Sequence, residues 1–206
     1  MTDSLQNSTR NNTGQRSANN GRAFFREFLK QPLQIGSIVP SSRYLERRII
    51  DAAAVAFAKT IVELGSGTGG ITRAILRAMP ADAVLLSIEI NARFHHIVQQ
   101  IRDDRLISHL GNAYDLQEIL LSYDLPAPQV IISSIPFSSI HNHHGARVCE
   151  VVTRLLTPGG HFVAFAYQFN SRVVTLCRPL LGKEKKVLEL LNIPPARVYR
   201  WQKMVL

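Results

Sequence analysis

A cluster of glycines directly after a short apolar run is the most informative feature of this chain. The run covers Thr60–Leu64, and the residues at 65–70 read Gly-Ser-Gly-Thr-Gly-Gly. Apolar residues then recur at helical spacing, which predicts the order strand, glycine turn, helix. Glycines let the backbone approach a ligand closely, and a helix N-terminus favours a bound nucleotide. The segment therefore predicts a nucleotide-binding element.

Two classes of nucleotide fit the glycine spacing. Gly65, Gly67 and Gly70 match the G-x-G-x-x-G pattern of dinucleotide-binding proteins. Gly65, Gly67 and Gly69, with Glu63 just ahead, match the E-x-G-x-G-x-G pattern of S-adenosylmethionine (SAM) methyltransferases. An acid at the strand end repels a pyrophosphate and attracts the cationic SAM, so Glu63 favours SAM as the cofactor. The predicted cofactor contacts here are Glu63, Gly65, Ser66, Gly67 and Gly69.

Three later apolar runs, of which the last ends at Ser133, finish in residues that would complete a cofactor site. The run at 83–90 has Glu89 near its end, and an acid about 20 residues beyond such a glycine turn accepts hydrogen bonds from ribose hydroxyls. The alternative for Glu89 is an ordinary exposed acid. A third run ends at Asn112, where methyltransferases often have Asp beside adenine, and Asn keeps an acceptor without the charge. The further predicted contacts are Glu89, Ile90, Asn112, Ala113 and Ser133.

The alternation of apolar runs and helical patterns predicts the architecture that holds these residues. Further runs cover 129–133 and 161–167, and the segments 185–191 and 197–205 predict a closing antiparallel hairpin. This order implies a parallel sheet covered on both faces, with ligands at the carboxyl ends of the strands. We therefore expect an α/β, Rossmann-like class I methyltransferase fold. Its sheet should have seven mostly parallel strands and a C-terminal antiparallel hairpin.

Length and composition predict one globular domain after a polar tail. The chain has 206 residues, of which 46% are hydrophobic, and no apolar run approaches the roughly 20 residues of a spanning helix. Residues 1–20 are rich in Asn, Ser, Thr and Gln, so we expect a disordered tail there and a single domain over 21–206. Cys149 and Cys177 are too few for a disulfide scaffold, which favours a reducing compartment.

The net charge of +9 is concentrated at the two ends of the chain. Residues 1–50 carry +5, residues 51–170 carry −2 and residues 171–206 carry +6. A near-neutral centre between basic ends predicts an anionic partner, either a membrane surface or a nucleic acid. The alternative is a basic surface that serves only solubility.

The segment 21–31 predicts an amphipathic helix that favours the membrane. One face is basic and the opposite face is aromatic and apolar, as in helices that lie at a membrane interface. The alternative is that the phenylalanines dock on the protein's own domain. A loop follows, and Ser41 or Ser42 then caps a helix whose predicted inner face is Leu45, Ile49, Ala52, Ala53 and Ala56. The two faces of the first helix comprise Arg22, Arg26 and Lys30, and Phe24, Phe25, Phe28 and Leu29.

Four segments together resemble the bacterial phospholipid N-methyltransferases. They are Phe28-Leu29, the Ile-Gly-Ser-Ile-Val-Pro-Ser-Ser segment at 35–42, the glycine segment at 63–69 and Asn-Ile-Pro-Pro-Ala-Arg-Val at 192–198. All class I methyltransferases share the glycine segment, whereas the segments at 35–42 and 192–198 are far more restricted. The resemblance spans nearly all of the chain after the polar tail.

This resemblance implies SAM-dependent N-methylation of phosphatidylethanolamine, up to three times, toward phosphatidylcholine. It also implies a cytoplasmic protein bound peripherally to the inner face of the cytoplasmic membrane, with an anionic membrane surface and a phospholipid substrate as partners. Relatives usually read Ser-Gly-Leu-Pro where this chain has Ser-Ser-Ile-Pro at 133–136, which leaves the substrate range open. Ornithine lipids, which also expose an amine, are an alternative substrate.

The related rRNA adenine dimethyltransferases supply a second functional hypothesis. Those enzymes have Asn-(Leu/Ile)-Pro-(Tyr/Phe) at this point, where the amide accepts from adenine N6 and the ring stacks on the base. Ser134 stands in place of that Asn, so the adenine contact is missing. We therefore expect a lipid amine rather than a nucleic acid as the partner.

The chemistry needs a neutral amine aligned with the methyl group of SAM, and it needs neither a metal nor a covalent intermediate. Aromatic faces suit the methylammonium product, which makes Tyr44, Phe137 and Tyr167 candidates, although each could be core packing. A histidine after the fourth strand could remove the substrate's proton. His141 is nearest the predicted cleft, but His143 and His144 follow it and all three could be solvated loop residues. The predicted catalytic residues are Tyr44, Phe137 and His141.

Overall fold

A computed structural model of the protein describes residues 41–138, 140–167 and 172–205. The strands within these ranges are β1 Thr60–Leu64, β2 Val84–Glu89, β3 Leu106–Leu110, β4 Val130–Ser133, β5 His161–Ala166, β6 Lys185–Glu189 and β7 Ala196–Gln202. The α-helices are α1 Arg43–Ala53, α2 Gly70–Ala78, α3 Ala92–Gln99, α4 Leu116–Ser122, α5 Asn142–Leu155 and α6 Arg172–Leu181. Short 3-10 turns lie at Val55–Phe57 and Ala113–Asp115.

The seven strands of the described chain form one sheet in the order β3-β2-β1-β4-β5-β7-β6. Strands β1 to β5 are parallel, whereas β7 runs antiparallel to both β5 and β6. The order in which successive strands are added to the sheet reverses between β1 and β4, and ligands bind at such a point in open α/β sheets. The predicted class I methyltransferase fold, with its C-terminal hairpin, is confirmed.

Two hydrophobic cores lie on opposite faces of the sheet. On β1, Ile61 belongs to the core that includes residues of α1 and α2, while Val62 and Leu64 belong to the core that includes residues of α4, α5 and α6. All five residues of β1 are buried. The near-continuous apolar strands of the sequence follow from this burial on both faces.

Helix α1 begins as predicted but ends earlier than its apolar pattern suggested. The Ser42 hydroxyl accepts a hydrogen bond from the Leu45 N–H at 3.3 Å, which caps the helix. The helix stops at Ala53 because Ala54 adopts a left-handed conformation with φ 55°. The 3-10 turn that follows buries Val55 and leaves Ala56 exposed, so the prediction that Ala56 lies on the inner face was wrong.

Cys149 of α5 and Cys177 of α6 form a disulfide bond with a Cα–Cα distance of 5.6 Å. Both residues are fully buried in the core below the two helices. This bond was not expected, because two cysteines among 206 residues give no spacing signal for a pair. No helix in the described ranges has the length and apolar character needed to cross a membrane.

Several predictions fall outside the described residues. The polar tail at 1–20, the amphipathic helix at 21–31 and all but the last two residues of the 35–42 segment belong to this group. They stay predictions.

Candidate active site at the carboxyl ends of the strands

The turns that follow β1, β2 and β4 are joined by backbone hydrogen bonds. The Gly65 N–H donates to the Ile88 carbonyl at 2.8 Å, and the Ser134 N–H donates to the Leu64 carbonyl at 2.9 Å. A Cβ atom added at Gly65 would lie 3.5 Å from Cγ1 of Ile135. The glycine turn and the Ser-Ser-Ile-Pro segment, which are about 70 residues apart in sequence, therefore pack against each other at one edge of the sheet.

Gly67 leaves open space on the outer side of the glycine turn. Its φ is +53°, a left-handed conformation that glycine adopts at no steric cost. A Cβ added there would meet no atom of the described residues within 4 Å, whereas one added at Gly69 would lie 3.3 Å from Cγ2 of Val98. Gly69 is therefore constrained by packing within the protein, and Gly67 borders a space that a ligand can fill.

Glu89, at the end of β2, holds the glycine turn in place. Its Oε2 accepts a hydrogen bond from the Gly67 N–H at 2.9 Å, and its Oε1 accepts one from the Asn91 N–H at 2.8 Å. Burial raises the pKa of Glu89, and the backbone hydrogen bonds oppose that shift. Each carboxylate oxygen retains a second lone pair, so Glu89 can still accept from a diol such as ribose.

Glu63 lies beneath the turn rather than beside an open cleft. Its Oε2 accepts hydrogen bonds from the Thr72 hydroxyl at 2.6 Å and the Ser87 hydroxyl at 2.9 Å. Its Oε1 has no hydrogen-bond partner in the described chain. Burial raises the pKa of Glu63 to about 7, although the two hydroxyl hydrogen bonds lower it. The carboxyl group therefore ties β1 to α2 and β2, and it carries less negative charge at neutral pH than we expected from the sequence.

Two buried serine hydroxyls near the turns have no hydrogen-bond partner among the described residues. They are Ser66 in the glycine turn and Ser134 after β4. The neighbouring Ser133 differs, because its hydroxyl accepts from the Ile135 N–H at 3.3 Å. A buried hydroxyl without a partner is costly, so both groups are candidates to bind a ligand at this edge.

The predicted adenine segment lies at the same edge. The Gly111 N–H donates to the Glu89 carbonyl at 3.0 Å, which brings the turn after β3 next to Glu89. The Asn112 side-chain oxygen accepts from the Tyr114 N–H at 3.1 Å and caps the 3-10 turn that starts at Ala113. Ile90 and Ala113 are partly exposed beside this turn. The amide of Asn112 therefore has a local structural role in addition to its predicted contact with the cofactor.

Tyr114 was not predicted as a site residue, yet it links the turn after β3 to helix α5. Its ring stacks on that of His144, with centroids 5.7 Å apart, and the Arg147 guanidinium lies 4.8 Å from its centre. The Tyr114 hydroxyl is buried and has no hydrogen-bond partner within the described ranges. Burial raises its pKa to about 12, against the opposing effect of Arg147. Its position just after the Gly-Asn-Ala turn is the signal that could have identified it.

The predicted catalytic residues occupy different environments. Tyr44 is exposed near the start of α1, with the Arg43 guanidinium 5.2 Å from its ring centre. Phe137 is only 4% exposed and packs into the core near Gly145 of α5, so its ring is a core contact in this conformation. His141 is exposed at the start of α5, 6.4 Å from the ring of His144. Their catalytic roles stay predictions, as does that of Tyr167, whose pKa is raised by burial.

No group of three or more His, Cys, Asp or Glu side chains within the described residues is arranged to hold a metal ion. His144 stacks on Tyr114, and the rings of His141 and His143 lie 6.4 Å and 5.1 Å from the ring of His144 in tilted and edge-on orientations. Their rings make aromatic contacts in this arrangement.

Comparison with curated proteins identifies two relatives. The chain is 27% identical over 183 residues to the ornithine lipid N-methyltransferase of Singulisphaera acidiphila, a match that covers 85% of this chain and 92% of that protein. It is 30% identical over 96 residues to ribosomal RNA small subunit methyltransferase A of Phenylobacterium zucineum, which covers 46% of this chain and 32% of that protein. No family model matches the chain.

Solved structures share the fold at low sequence identity. The N-methyltransferase NodS of Bradyrhizobium japonicum, in complex with S-adenosyl-L-homocysteine, superposes with a TM-score of 0.62 at 12% identity. That match covers 79% of this chain and 88% of NodS. The cofactor class expected from the sequence is therefore the one bound in a solved protein of this fold.

Proposed function

We propose that the protein transfers a methyl group from SAM to the amine of a bacterial membrane lipid. The observation that supports the lipid substrate is the match over 183 residues to an enzyme named for N-methylation of ornithine lipid. The match to the ribosomal RNA enzyme is half as long. The resemblance of the 192–198 segment to phospholipid N-methyltransferases points to the same substrate class.

The residues at the carboxyl edge of the sheet fit SAM. The space at Gly67 would admit the cofactor close to the backbone, and Glu89 would accept from the ribose hydroxyls. The hydroxyl of Ser66, which has no hydrogen-bond partner among the described residues, lies in the same turn and offers a further contact. Asn112 and Ala113 would lie beside adenine. When bound, SAM supplies an electrophilic methyl group on a positively charged sulfonium.

The chain's own groups would prepare the accepting amine. Only a neutral amine has a lone pair for the methyl group, so a base near the cleft must keep the substrate deprotonated. We assign this role to His141, which is exposed at the start of α5. Tyr44, also exposed, offers an aromatic face to the methylated, cationic head group.

Two head groups fit this proposal. Phosphatidylethanolamine is the substrate that the sequence resemblance implies, with phosphatidylcholine as the final product. Ornithine lipid is the substrate named for the relative that matches over most of its length. Both lipids present a primary amine in the head group, so methyl transfer at the candidate active site can be assayed with either one as substrate.

Methylation of rRNA is less well supported by the residues at the site. A base-methylating enzyme of the related type needs an amide acceptor and an aromatic ring after β4. This chain has Ser134 in place of the amide, and Phe137 is packed in the core.

We also propose that the protein acts at the inner face of the cytoplasmic membrane, where its basic ends meet anionic lipids.

Expression in a bacterial host that lacks methylated lipids tests the proposal. The lipid extract should gain mono-, di- or trimethylated forms of phosphatidylethanolamine or of ornithine lipid. A Gly67→Val variant, produced at the same level, should yield none of them. An unchanged lipid profile despite folded, SAM-binding protein would contradict the proposed substrate class.

A further inference from the structure

The turn between β6 and β7 exposes apolar side chains at the same edge as the candidate active site. This turn, residues 190–195, is named the hairpin tip and reads Leu-Leu-Asn-Ile-Pro-Pro. Leu190 is 67% exposed, Leu191 63% and Ile193 85%. Because β7 is antiparallel to β5, with Ala166 paired to Arg197, the hairpin tip lies at the carboxyl end of β5. The tip is therefore on the side of the sheet where the parallel strands end.

The polar side chains at the hairpin tip are buried and make hydrogen bonds within the protein. Asn192 is buried, its side-chain oxygen accepts from the Ser42 N–H at 2.9 Å, and its amide donates to the Pro194 carbonyl at 2.8 Å. Glu189, just before the tip, accepts from the Leu191 N–H at 2.9 Å and from Arg48 Nε at 3.2 Å. The apolar side chains are thus held outward on a fixed backbone, the reverse of the usual arrangement in a water-exposed turn.

The charge around the hairpin tip is positive. Arg43 follows directly after Ser42, whose backbone N–H bonds to the tip, and it is exposed. Arg197 lies two residues beyond the tip. Glu189, the acid just before the tip, is paired with Arg48 of α1. Exposed aliphatic groups bordered by cations match an anionic lipid surface, where apolar insertion and electrostatic attraction act together.

We propose that the hairpin tip inserts into the anionic membrane surface and directs the active-site edge toward the lipid. This inference rests on the proposed lipid substrate and adds a membrane contact on the folded domain, separate from the predicted helix at 21–31. Insertion of Leu190, Leu191 and Ile193 would place the carboxyl ends of the strands next to the head groups. The 192–198 segment then has a physical role, because its Asn192 fixes the tip and its Ile193 enters the lipid.

Vesicle binding of the full chain provides the first test. Replacing Leu190, Leu191 and Ile193 with Ser should weaken binding to phosphatidylcholine vesicles containing phosphatidylglycerol about tenfold or more, since each buried aliphatic side chain contributes to partition. A control variant replaces with Ser three exposed apolar residues near the amino ends of the parallel strands, on the side of the sheet away from the tip. These residues are Phe57, Met204 and Val205. This variant should bind vesicles as the wild type does. Equal binding of the Ser-substituted tip variant and the wild type would overturn the proposal.

A fluorescent reporter tests insertion directly. Trp201 is fully buried, so Ile193→Trp adds an exposed indole against a constant background. Its emission should shift to the blue with anionic vesicles and be quenched by brominated lipid, whereas Phe57→Trp should show neither effect. Blue-shifted emission without vesicles, together with no quenching by brominated lipid, would mean that another part of the chain covers the tip and would contradict insertion.

A methyl-transfer assay distinguishes failure of tip insertion from failure of the proposed function. The tip variant should methylate detergent-dispersed lipid amine at the wild-type rate and lose activity only on vesicles. Quenching of the indole of the Ile193→Trp variant by brominated lipid, in a protein that methylates no lipid, would refute the proposed function and leave tip insertion standing. Lipid methylation without such quenching would refute insertion alone.

Discussion

The carboxylate of Glu89 accepts a hydrogen bond from the backbone N–H of Gly67 at 2.9 Å. The acid at the end of β2 thus fixes the glycine turn at the end of β1 before any cofactor binds. Glu89 and Gly67 belong to different predicted motifs, and this bond makes them one structural unit. Loss of either residue should therefore affect the shape of the site as well as a direct contact.

Replacing Glu89 with Ala should weaken SAM binding by roughly 1.5–3 kcal/mol, the contribution of a hydrogen bond to a charged group. Release of the Gly67 N–H adds to this loss. Isothermal titration with SAM measures the effect, and Glu118→Ala, which removes an exposed acid on α4, is the matched control. Wild-type affinity in Glu89→Ala would remove Glu89 from the cofactor site.

Gly67→Ala should abolish most SAM binding, because its methyl group would enter the open space beside the turn. Gly182→Ala is a close control, since Gly182 also has a positive φ, 76°, and an added Cβ there would also meet no atom of the described residues within 4 Å. Both variants should lose about 1 kcal/mol of unfolding free energy through backbone strain. Only Gly67→Ala should lose cofactor affinity, and equal SAM titrations for the two variants would show that the space at Gly67 is not used.

Glu63 should make the protein less stable as the pH rises from about 4.5 to about 7. Burial raises its pKa from 4.5 to about 7, so within this range the folded state binds a proton that the unfolded state has released. The contribution of Glu63 to the unfolding free energy should fall across this window by about 3 kcal/mol and then level off. Urea denaturation at several pH values should show that Glu63→Gln removes this decline. Parallel pH profiles for the wild type and Glu63→Gln would contradict the buried, protonated state of Glu63.

The predicted amphipathic helix at 21–31 should contribute to binding of anionic vesicles. Changing Arg22, Arg26 and Lys30 together to Glu should weaken vesicle flotation, and added salt should weaken wild-type binding in the same way. Deletion of residues 1–20 should have little effect, because this tail has no apolar anchor. The same charge change on the folded domain, made at Arg93, Arg102 and Arg154, should reduce flotation less. Unchanged flotation in the first variant would mean that the helix docks on the domain.

Sequence patterns predicted the central strands of the sheet because both faces of these strands are buried. Strand β1 has the predicted bounds, and β2 and β5 differ from theirs by one or two residues. Local backbone conformation was harder to predict: Ala54, a residue with high helix propensity, takes a left-handed conformation and ends α1. No periodic pattern indicates such a residue.

The positions of two candidate site residues could be predicted from the sequence, while their contacts with a cofactor stay predictions. Glu89 and Gly67 occupy a turn that the glycine spacing defines, and they lie in contact. Tyr114 and the Cys149–Cys177 bond depend on how α5 packs against the 3-10 turn and α6, which single-sequence periodicity does not reveal. The charge argument for Glu63 was incomplete for a similar reason, because burial of its carboxyl group follows from Thr72 and Ser87 on neighbouring elements.

Direct methyl transfer by the purified protein tests the central proposal most directly. The assay would supply methyl-labelled SAM with vesicles of phosphatidylethanolamine, ornithine lipid and phosphatidylglycerol, and with ribosomal RNA in a parallel reaction. We predict label in mono- and dimethylated phosphatidylethanolamine and none in phosphatidylglycerol, which lacks an amine. Label in ornithine lipid alone would keep the lipid-amine class and change the head group. Label in ribosomal RNA with none in the lipid extract would contradict the account.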